Sequence, residues 1–461
     1  MNTESIELNA SYFEHEWSNQ TTVNPLGFLL LCVAAGLLLV LPRRWAVLPF
    51  SIIACFIAPA QRVVVLGLDF NFMRLMVLVG VGRLLIRRET ATFQISQFDM
   101  FVFFWGSCRF LLHGLLCSSS NEWISSAGEA FDGLGLYFAF RCLVQDWEDV
   151  IATVKGLIVL GLPVALAFVW ERQTSHNLFS LFGGVPEITV VRDGKLRCQG
   201  AFAHPIVAGC FWASLLPAIV SLRSIRHGSM FWVPAGLAAA FVIIFTCSSS
   251  TPMAAVGAGA LGGLSYHVRN HMQLLRRTCL VMLLALHLVM KAPVWHLISR
   301  IDLVGGSTGY HRFLLIDNAI RRVDEWWMLG TLSTAHWGYG LTDVCNQYVY
   351  EAVEGGLASL ILFVAVLVIA FRAAGRLCRW YGHSVGKLQM AWALGVAIFI
   401  HLANFLGLSY FGQMLMIWGL QLATLASLEA RTCHARQTCR VITAPTKWAK
   451  AGAMRKVLIA K

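Results

Sequence analysis

Charge is scarce in this sequence: only 13% of its 461 residues are Asp, Glu, Lys or Arg, against 57% that are hydrophobic. Soluble domains carry about a quarter charged residues, so a water-soluble globular chain is excluded. Acid is the scarcer sign, with 24 Asp and Glu against 36 Lys and Arg, a net charge of +12. That excess does not point to nucleic acid, because most of it falls in short connections and in the tail, where the positive-inside rule puts it. Among the thirteen cysteines there is no CxxC pair and no metal-ligand spacing, so neither a metal nor a cofactor is expected. Most of them read as small buried side chains. Cys198 and Cys345 fall in long loops, and a disulfide between them cannot be argued from sequence. No low-complexity linker and no internal repeat is detectable. No cleavable signal peptide is expected, since Met1 to Asn24 is polar and acidic rather than basic and then apolar.

What is abundant is long apolar runs. Stretches at about 26–42, 45–60, 71–86, 99–117, 127–144, 150–170, 205–222, 231–247, 253–268, 278–292, 350–371, 388–407 and 413–428 suit helices crossing about 30 Å of hydrocarbon. The expected fold is an all-α polytopic membrane protein of about 12–13 transmembrane helices, a single integral domain over 1–461. Thirteen spans rest on splitting 26–60 into two helices; twelve with a shifted start is the alternative. Arg43 and Arg44, then Arg83, Arg87 and Arg88, then Arg141 follow alternate spans, and so do Arg223, Arg269, Arg276, Arg277, Arg372 and Arg376. Alternation puts these and the basic tail, 429–461, in the cytoplasm. Two long loops, Glu171 to His204 and Pro293 to Val349, then lie outside. Arg74 and Arg109 fall at membrane depth, where an ionisable side chain costs several kcal/mol. They are expected to face the interior, with Asp132 and Glu129 as partners.

The first loop contains VVRDGKLRCQGAFAHPIVAG. DGK reads as a tight turn, so Val190 and Val191 with Leu196 form a short hairpin presenting Arg192 and Arg197. Pro205 suits a first helical turn, which puts His204 at the membrane surface. A guanidinium donates two parallel hydrogen bonds to phosphate oxygens; the competing reading pairs these arginines with Asp193 or lipid headgroups. CSSSTPMAAVGAGALGG, a polar break before a small-residue helix, reads as close helix packing. In the second loop Phe313, Ile316, Ile320, Val323 and Trp327 recur at steps of three and four, predicting an apolar helix stripe. Ser307 or Thr308 caps its start and Gly330 ends it. Arg321 has Asp317 and Glu325 each four residues away, and Arg322 has Asp324 and Glu325 nearby. Arg312 sits at the helix start, an unfavourable place for a cation, so an anion partner is expected there first. His311 and His336 are acid–base candidates. Asp343, Glu351 and Glu354 cluster where the loop re-enters the membrane, and one of them is the expected base.

The order RxxGAFxHPxxxG, a serine-rich break opening a span, then HRxxLIxxA…GxxS…WGYG…DxxNQYxxxxxEGG resembles the O-antigen ligase and polymerase family. These are polytopic glycosyltransferases of the bacterial inner membrane, and the likeness covers about 197–371. The resemblance implies that periplasmic arginines hold the diphosphate of an undecaprenyl-linked glycan. By position these are Arg197 and Arg312, then Arg192, Arg321 and Arg322, with His204 and Asn346 in the same motifs. It also implies contact with membrane lipid and other polysaccharide assembly proteins. Two departures are present: Thr251 and Pro252 stand where the family often has arginine, and Cys345 stands where ligases carry a histidine before the asparagine. The second leans the expectation from ligase toward polymerase of O-antigen or exopolysaccharide. A carrier of lipid-linked or soluble substrates is the alternative from another class.

Overall fold

The computed structural model describes residues 20–225, 229–300 and 309–443. The proposed Ser307 or Thr308 cap, the acidic first residues and the tail cations Lys447, Lys450, Arg455, Lys456 and Lys461 lie outside them. The described chain is almost entirely helical, with two two-stranded hairpins. Five helices are long and apolar enough to cross a membrane, and two shorter ones are equally apolar. This is a helical membrane protein.

In chain order the first helices are α1 (Pro25–Val40), α2 (Leu48–Phe56), α3 (Phe72–Ile86), α4 (Gln97–Leu116), α5 (Ser120–Leu143) and α6 (Trp147–Thr174). Their starts follow from side chains that satisfy free backbone N–H groups. Asn24 and Asn71 accept from the first turns of α1 and α3. Ser96 with Asp99, Ser119 with Glu122 and Asp146 with Asp149 form reciprocal capping boxes. The stretch 45–60, expected as one span, holds only the nine-residue α2, about 13 Å of helix. A bend and a turn, in which Gln61 N–H donates to the Ala58 carbonyl at 3.1 Å, lead from it to the hairpin β1 (Arg62–Val65) and β2 (Leu68–Asn71). Non-helical backbone is tolerated at membrane depth where protein covers it, and Ile57, Ala58 and Gln61 are buried.

The second half holds α7 (Pro205–Ser221), α8 (Ser229–Thr246), α9 (Ser250–Leu264), α10 (Met272–Val289), α11 (Gly309–Arg321), α12 (Val323–Trp326), α13 (Gln347–Trp380), α14 (Val385–Phe405) and α15 (Gln413–Thr443). The helix α7 runs through the middle and is buried on nearly every side, with Trp212 fully enclosed. A side chain at Gly161 would collide with that indole, so the missing Cβ sets the α6–α7 approach. The helix α10 is the opposite, with no buried residue.

Arg74 grips Asp132 in a two-pronged pair at 2.9 and 2.8 Å, and Arg109 meets Glu129 at 2.6 Å. The long helix α13 breaks at Gly355 and Gly356, the latter at φ +62°. The second loop mends the break: Thr331 N–H donates to the Val353 carbonyl at 2.7 Å, and Leu357 N–H to the Trp327 carbonyl at 2.9 Å.

The loop helix is turned away from the expected orientation. It is two pieces, α11 and α12, separated at Arg322. The buried line is Arg312, Leu315, Ala319 and Trp326, while Ile320, Val323 and Trp327 of the predicted stripe are exposed. A stripe rule that sends apolar side chains inward presumes water outside. In a membrane protein apolar side chains such as Ile320, Val323 and Trp327 can meet lipid, while Arg312 is the polar-face residue that turns inward with Leu315 and Ala319.

Candidate functional site

The first long connection is pinned before it presents anything. Strands β3 (Val191–Arg192) and β4 (Lys195–Leu196) pair around a turn in which Asp193 and Gly194 both have positive φ. Beyond β4, the buried Glu171 carboxylate of α6 accepts the backbone N–H groups of Gln199 and Gly200 and the Thr189 hydroxyl, each at 3.0 Å. Gly200 has φ +57° and lies against the Phe168 ring, so no side chain fits there. Cys198 N–H reaches the Thr246 carbonyl at 3.2 Å, tying the loop to the end of α8. Arg197, between these anchors, is buried.

The second connection brings Arg312 to the same place. On the inward line of α11, its Nη2 donates to Thr251 Oγ1 at 3.0 Å. Gly407, after α14, leaves room for it: a Cβ there would stand 2.9 Å from Thr251 Oγ1 and 3.1 Å from the guanidinium carbon. Arg197 lies close enough to Arg312 to feel its charge. Burial first, then Arg192 and Arg312, lower the pKa of Arg197. Neither buried arginine has a carboxylate partner among the described residues, and the Nε of each lacks a hydrogen bond. The contrast within the molecule is sharp: Arg74, Arg83, Arg109 and Arg141 all have carboxylate partners. Buried charges are ordinarily paired, so these two guanidiniums, with no carboxylate within ion-pair distance among the described residues, form a candidate anion site, and their planar forks suit phosphate oxygens.

His204 borders this site. Its Nδ1 accepts the Ile206 N–H at 3.2 Å, capping α7. Burial, then the charges of Arg197 and Arg192, hold its pKa down at about 3. The ring is therefore neutral at physiological pH, with its proton on Nε2, a donor rather than a base. Arg192 stands on the exposed hairpin, 3.6 Å from Asp193.

Of the three carboxylates grouped in the sequence, only Asp343 lies within electrostatic reach of Arg312. It interacts with His311 and Arg312 and is solvent-exposed. The enclosing protein raises its carboxyl pKa, while His311 and Arg312 pull the other way. Glu351 is fully buried and accepts from Trp105 Nε1 at 2.8 Å, Gln347 Nε2 at 2.7 Å and Ser359 Oγ at 2.9 Å. Glu354 lies 3.1 Å from His113, in the surroundings of Arg109. Both carboxylates point toward α4, because residues five and eight positions after Asn346 fall on another face of α13.

Other candidates are also engaged. Asn346 is buried, its Oδ1 capping α13 through Tyr348 and Val349 N–H at 3.0 and 3.1 Å and its Nδ2 near the Leu406 carbonyl at 3.4 Å. That leaves it a helix cap rather than a substrate ligand. Arg321 is exposed and bonded to Asp317 at 2.8 Å, and Arg322 to Glu325 at 2.9 Å, so neither is brought to the anion site. His336 lies 2.8 Å from Glu325.

Thr251 and Gly407 were not singled out as arginine partners by sequence; no local signal marks Gly407, which reaches Arg312 only through the fold. Gln347 is another such residue, bonding Glu351 on one side and accepting Tyr410 N–H at 2.6 Å on the other. It thereby braces the 406–412 turn that carries Gly407. Among the described residues, no three His, Cys, Asp or Glu side chains are disposed to hold a metal ion.

Cys198 and Cys345 are free thiols. Cys345 lies against Arg312, yet burial, and then Asp343, push its pKa up to about 11. A thiol so raised is protonated at neutral pH, which makes it a poor base and a poor nucleophile. Cys345→Ser is expected to leave activity largely intact, and maleimide labelling of this thiol in the folded protein should be slow at pH 7. A dead serine variant at normal abundance would assign the thiol a chemical role. No family model matches the chain, and no curated protein matches it either.

Proposed function

We propose that the protein polymerises undecaprenyl-diphosphate-linked oligosaccharide units into O-antigen or exopolysaccharide at the periplasmic face of the bacterial inner membrane. The observation that carries this reading is the pair of buried, carboxylate-free arginines, Arg197 and Arg312, delivered by the two long connections. They supply charge for a diphosphate that leaves, and Asp343 beside Arg312 supplies a base. In the reaction, an acceptor sugar hydroxyl on one lipid-linked unit attacks the anomeric carbon of the donor glycan. The carbon–oxygen bond to phosphate breaks, undecaprenyl diphosphate departs with the electron pair, and the hydroxyl proton passes to the Asp343 carboxylate. Diphosphate is a good leaving group, so placement and charge stabilisation are the main demands. The span count of about 12–13, the outward direction of both long connections and dependence on other polysaccharide assembly proteins belong to the same proposal.

A second reading, a carrier of lipid-linked or soluble substrates, draws on the broken α13 and the short α2, since discontinuous helices mark transporter sites. Transfer to a different lipid or protein acceptor, the ligase reaction, is the third. Deleting the gene and running the surface polysaccharide on a gel separates them. Loss of a polymerase leaves single-repeat products, loss of a ligase leaves full-length polymer on the lipid carrier, and loss of a carrier traps precursor in the cytoplasm. An unchanged ladder with normal export would rule out the glycan reading. A reporter fused at Gly184 tests sidedness separately: it is expected to be active only as a periplasmic reporter.

A further inference from the structure

We propose that the turn Gly338–Leu341 is a sugar-ring platform, in which Tyr339 stacks on the acceptor glycan beside the Arg312–Asp343 site; this rests on the glycan-transfer reading above. Tyr339 is 98% exposed, yet the turn beneath it is rigid. Leu341 N–H donates to the Gly338 carbonyl at 3.1 Å, and Trp337 N–H to the Thr334 carbonyl at 3.0 Å. The Thr334 hydroxyl closes the turn onto the Leu341 carbonyl at 2.5 Å. Trp337 and Leu341 are buried with Leu315 of α11, so the turn sits on the helix that carries Arg312.

One carboxylate locks the approach to this turn. Glu325 accepts Trp337 Nε1 at 2.8 Å and lies 2.8 Å from His336 Nε2 through the same oxygen, while its other oxygen takes Arg322 at 2.9 Å. The Trp337 indole N–H first, then Arg322 and His336, hold its pKa at about 2. It therefore stays ionised, and able to accept all three contacts, throughout the physiological range. Arg322 and His336, both sequence candidates for substrate work, have their place here instead.

The turn runs past the reacting groups. A Cβ at Gly340 would lie 3.7 Å from His311 Cε1; His311 precedes Arg312, and Asp343 follows Gly340 by three residues. A pyranose has a flat C–H face and a hydroxyl edge, which matches an exposed tyrosine ring carried on a hydrogen-bonded turn. The alternative occupant is the headgroup layer, where tyrosine is also common. The flanking Gly338 and Gly340 favour a ring-shaped ligand, since they clear space on both sides of a single aromatic.

The test uses full-length protein in nanodiscs with lipid-linked repeat units extracted from the deletion strain, varying acceptor concentration. Tyr339→Ala is expected to raise the acceptor KM about tenfold, the size of an aromatic contact near 1.4 kcal/mol, with kcat little changed. Tyr339→Phe keeps the ring and should stay close to wild type. Glu325→Ala should raise KM as well, and the double variant should add less than the sum, because both act through one turn. An unchanged KM in Tyr339→Ala overturns the platform, and so does a fall in turnover at every acceptor concentration, which is the mark of a headgroup anchor. Wild-type protein that transfers nothing overturns the parent function, and the platform with it.

Discussion

Arg197→Met and Arg312→Met are each expected to abolish glycan transfer while leaving the folded protein at least as stable as wild type. The two halves of this expectation have one cause. A buried guanidinium without a carboxylate loses its hydration and recovers little, and replacing buried charge with a hydrophobic group of similar volume is often neutral or stabilising. Here the two cations also repel, since Arg312 lowers the pKa of Arg197, so removing either relieves the other. The hydrogen bond lost at Arg312, to Thr251, is worth about 1 kcal/mol and does not reverse the sign. Activity goes the other way, because removing one preorganised donor to a developing negative charge costs about 100- to 1,000-fold in rate. Arg→Lys should rescue poorly at both positions, since an ammonium cannot give two parallel bonds to phosphate. Transfer assays on purified variants, with melting temperatures in the same nanodiscs, read both quantities. Lysine variants that build glycan of normal length would mean that no bidentate clamp exists. Variants that melt well below wild type would mean that the arginines are structural.

That combination explains part of what sequence reading reached and part of what it missed. Arg312 stood out because a cation at a helix start has no local electrostatic reason to be there, and the Asp317 partner of Arg321 was read from spacing alone; Glu325, expected as its second partner, lies past the break at Arg322 and pairs with Arg322 instead. The Arg74–Asp132 and Arg109–Glu129 pairs followed from the high cost of unpaired charge at membrane depth. The rotation of α11 was not legible, because apolar periodicity reports which side differs from the other and not which side meets lipid. The division of Asp343 from Glu351 and Glu354 was hidden for a related reason. Asp343 precedes the Asn346 cap and belongs to the loop, while the other two follow the helical turn toward α4. Gly407 carried no signal at all, since its role is an absence of side chain beside a residue 95 positions earlier, 407 less 312.

Asp343 and Glu351 should therefore fail in different ways. Asp343→Asn is expected to accumulate normally and transfer no glycan, because the exposed side chain braces nothing while its proton acceptance is lost. Glu351→Ala is expected to accumulate poorly. It would strand Trp105 Nε1, Ser359 Oγ and Gln347 Nε2 in a buried space, and remove the buried one of the two carboxylates near Arg109, leaving Glu129. Breaking such a buried charged network costs about 3–5 kcal/mol, a large share of the roughly 5–15 kcal/mol that holds a domain together. Through Gln347 the damage would also reach Tyr410 and the turn bearing Gly407. The pH dependence gives an independent handle on Asp343. A base must be ionised, and the surrounding protein raises this carboxyl, so the rate should climb with pH through a value above that of an ordinary aspartate and then level off. His311, Arg312 and Cys345 are the titratable or charged neighbours that shape this limb, and His311→Ala should shift it upward, because His311 lowers the pKa of this carboxyl. Immunoblots of membranes alongside transfer rates between pH 4 and 8 separate folding from chemistry. An active Asp343→Asn, together with a dead but abundant Glu354→Gln, would move the base to the α4 side of α13.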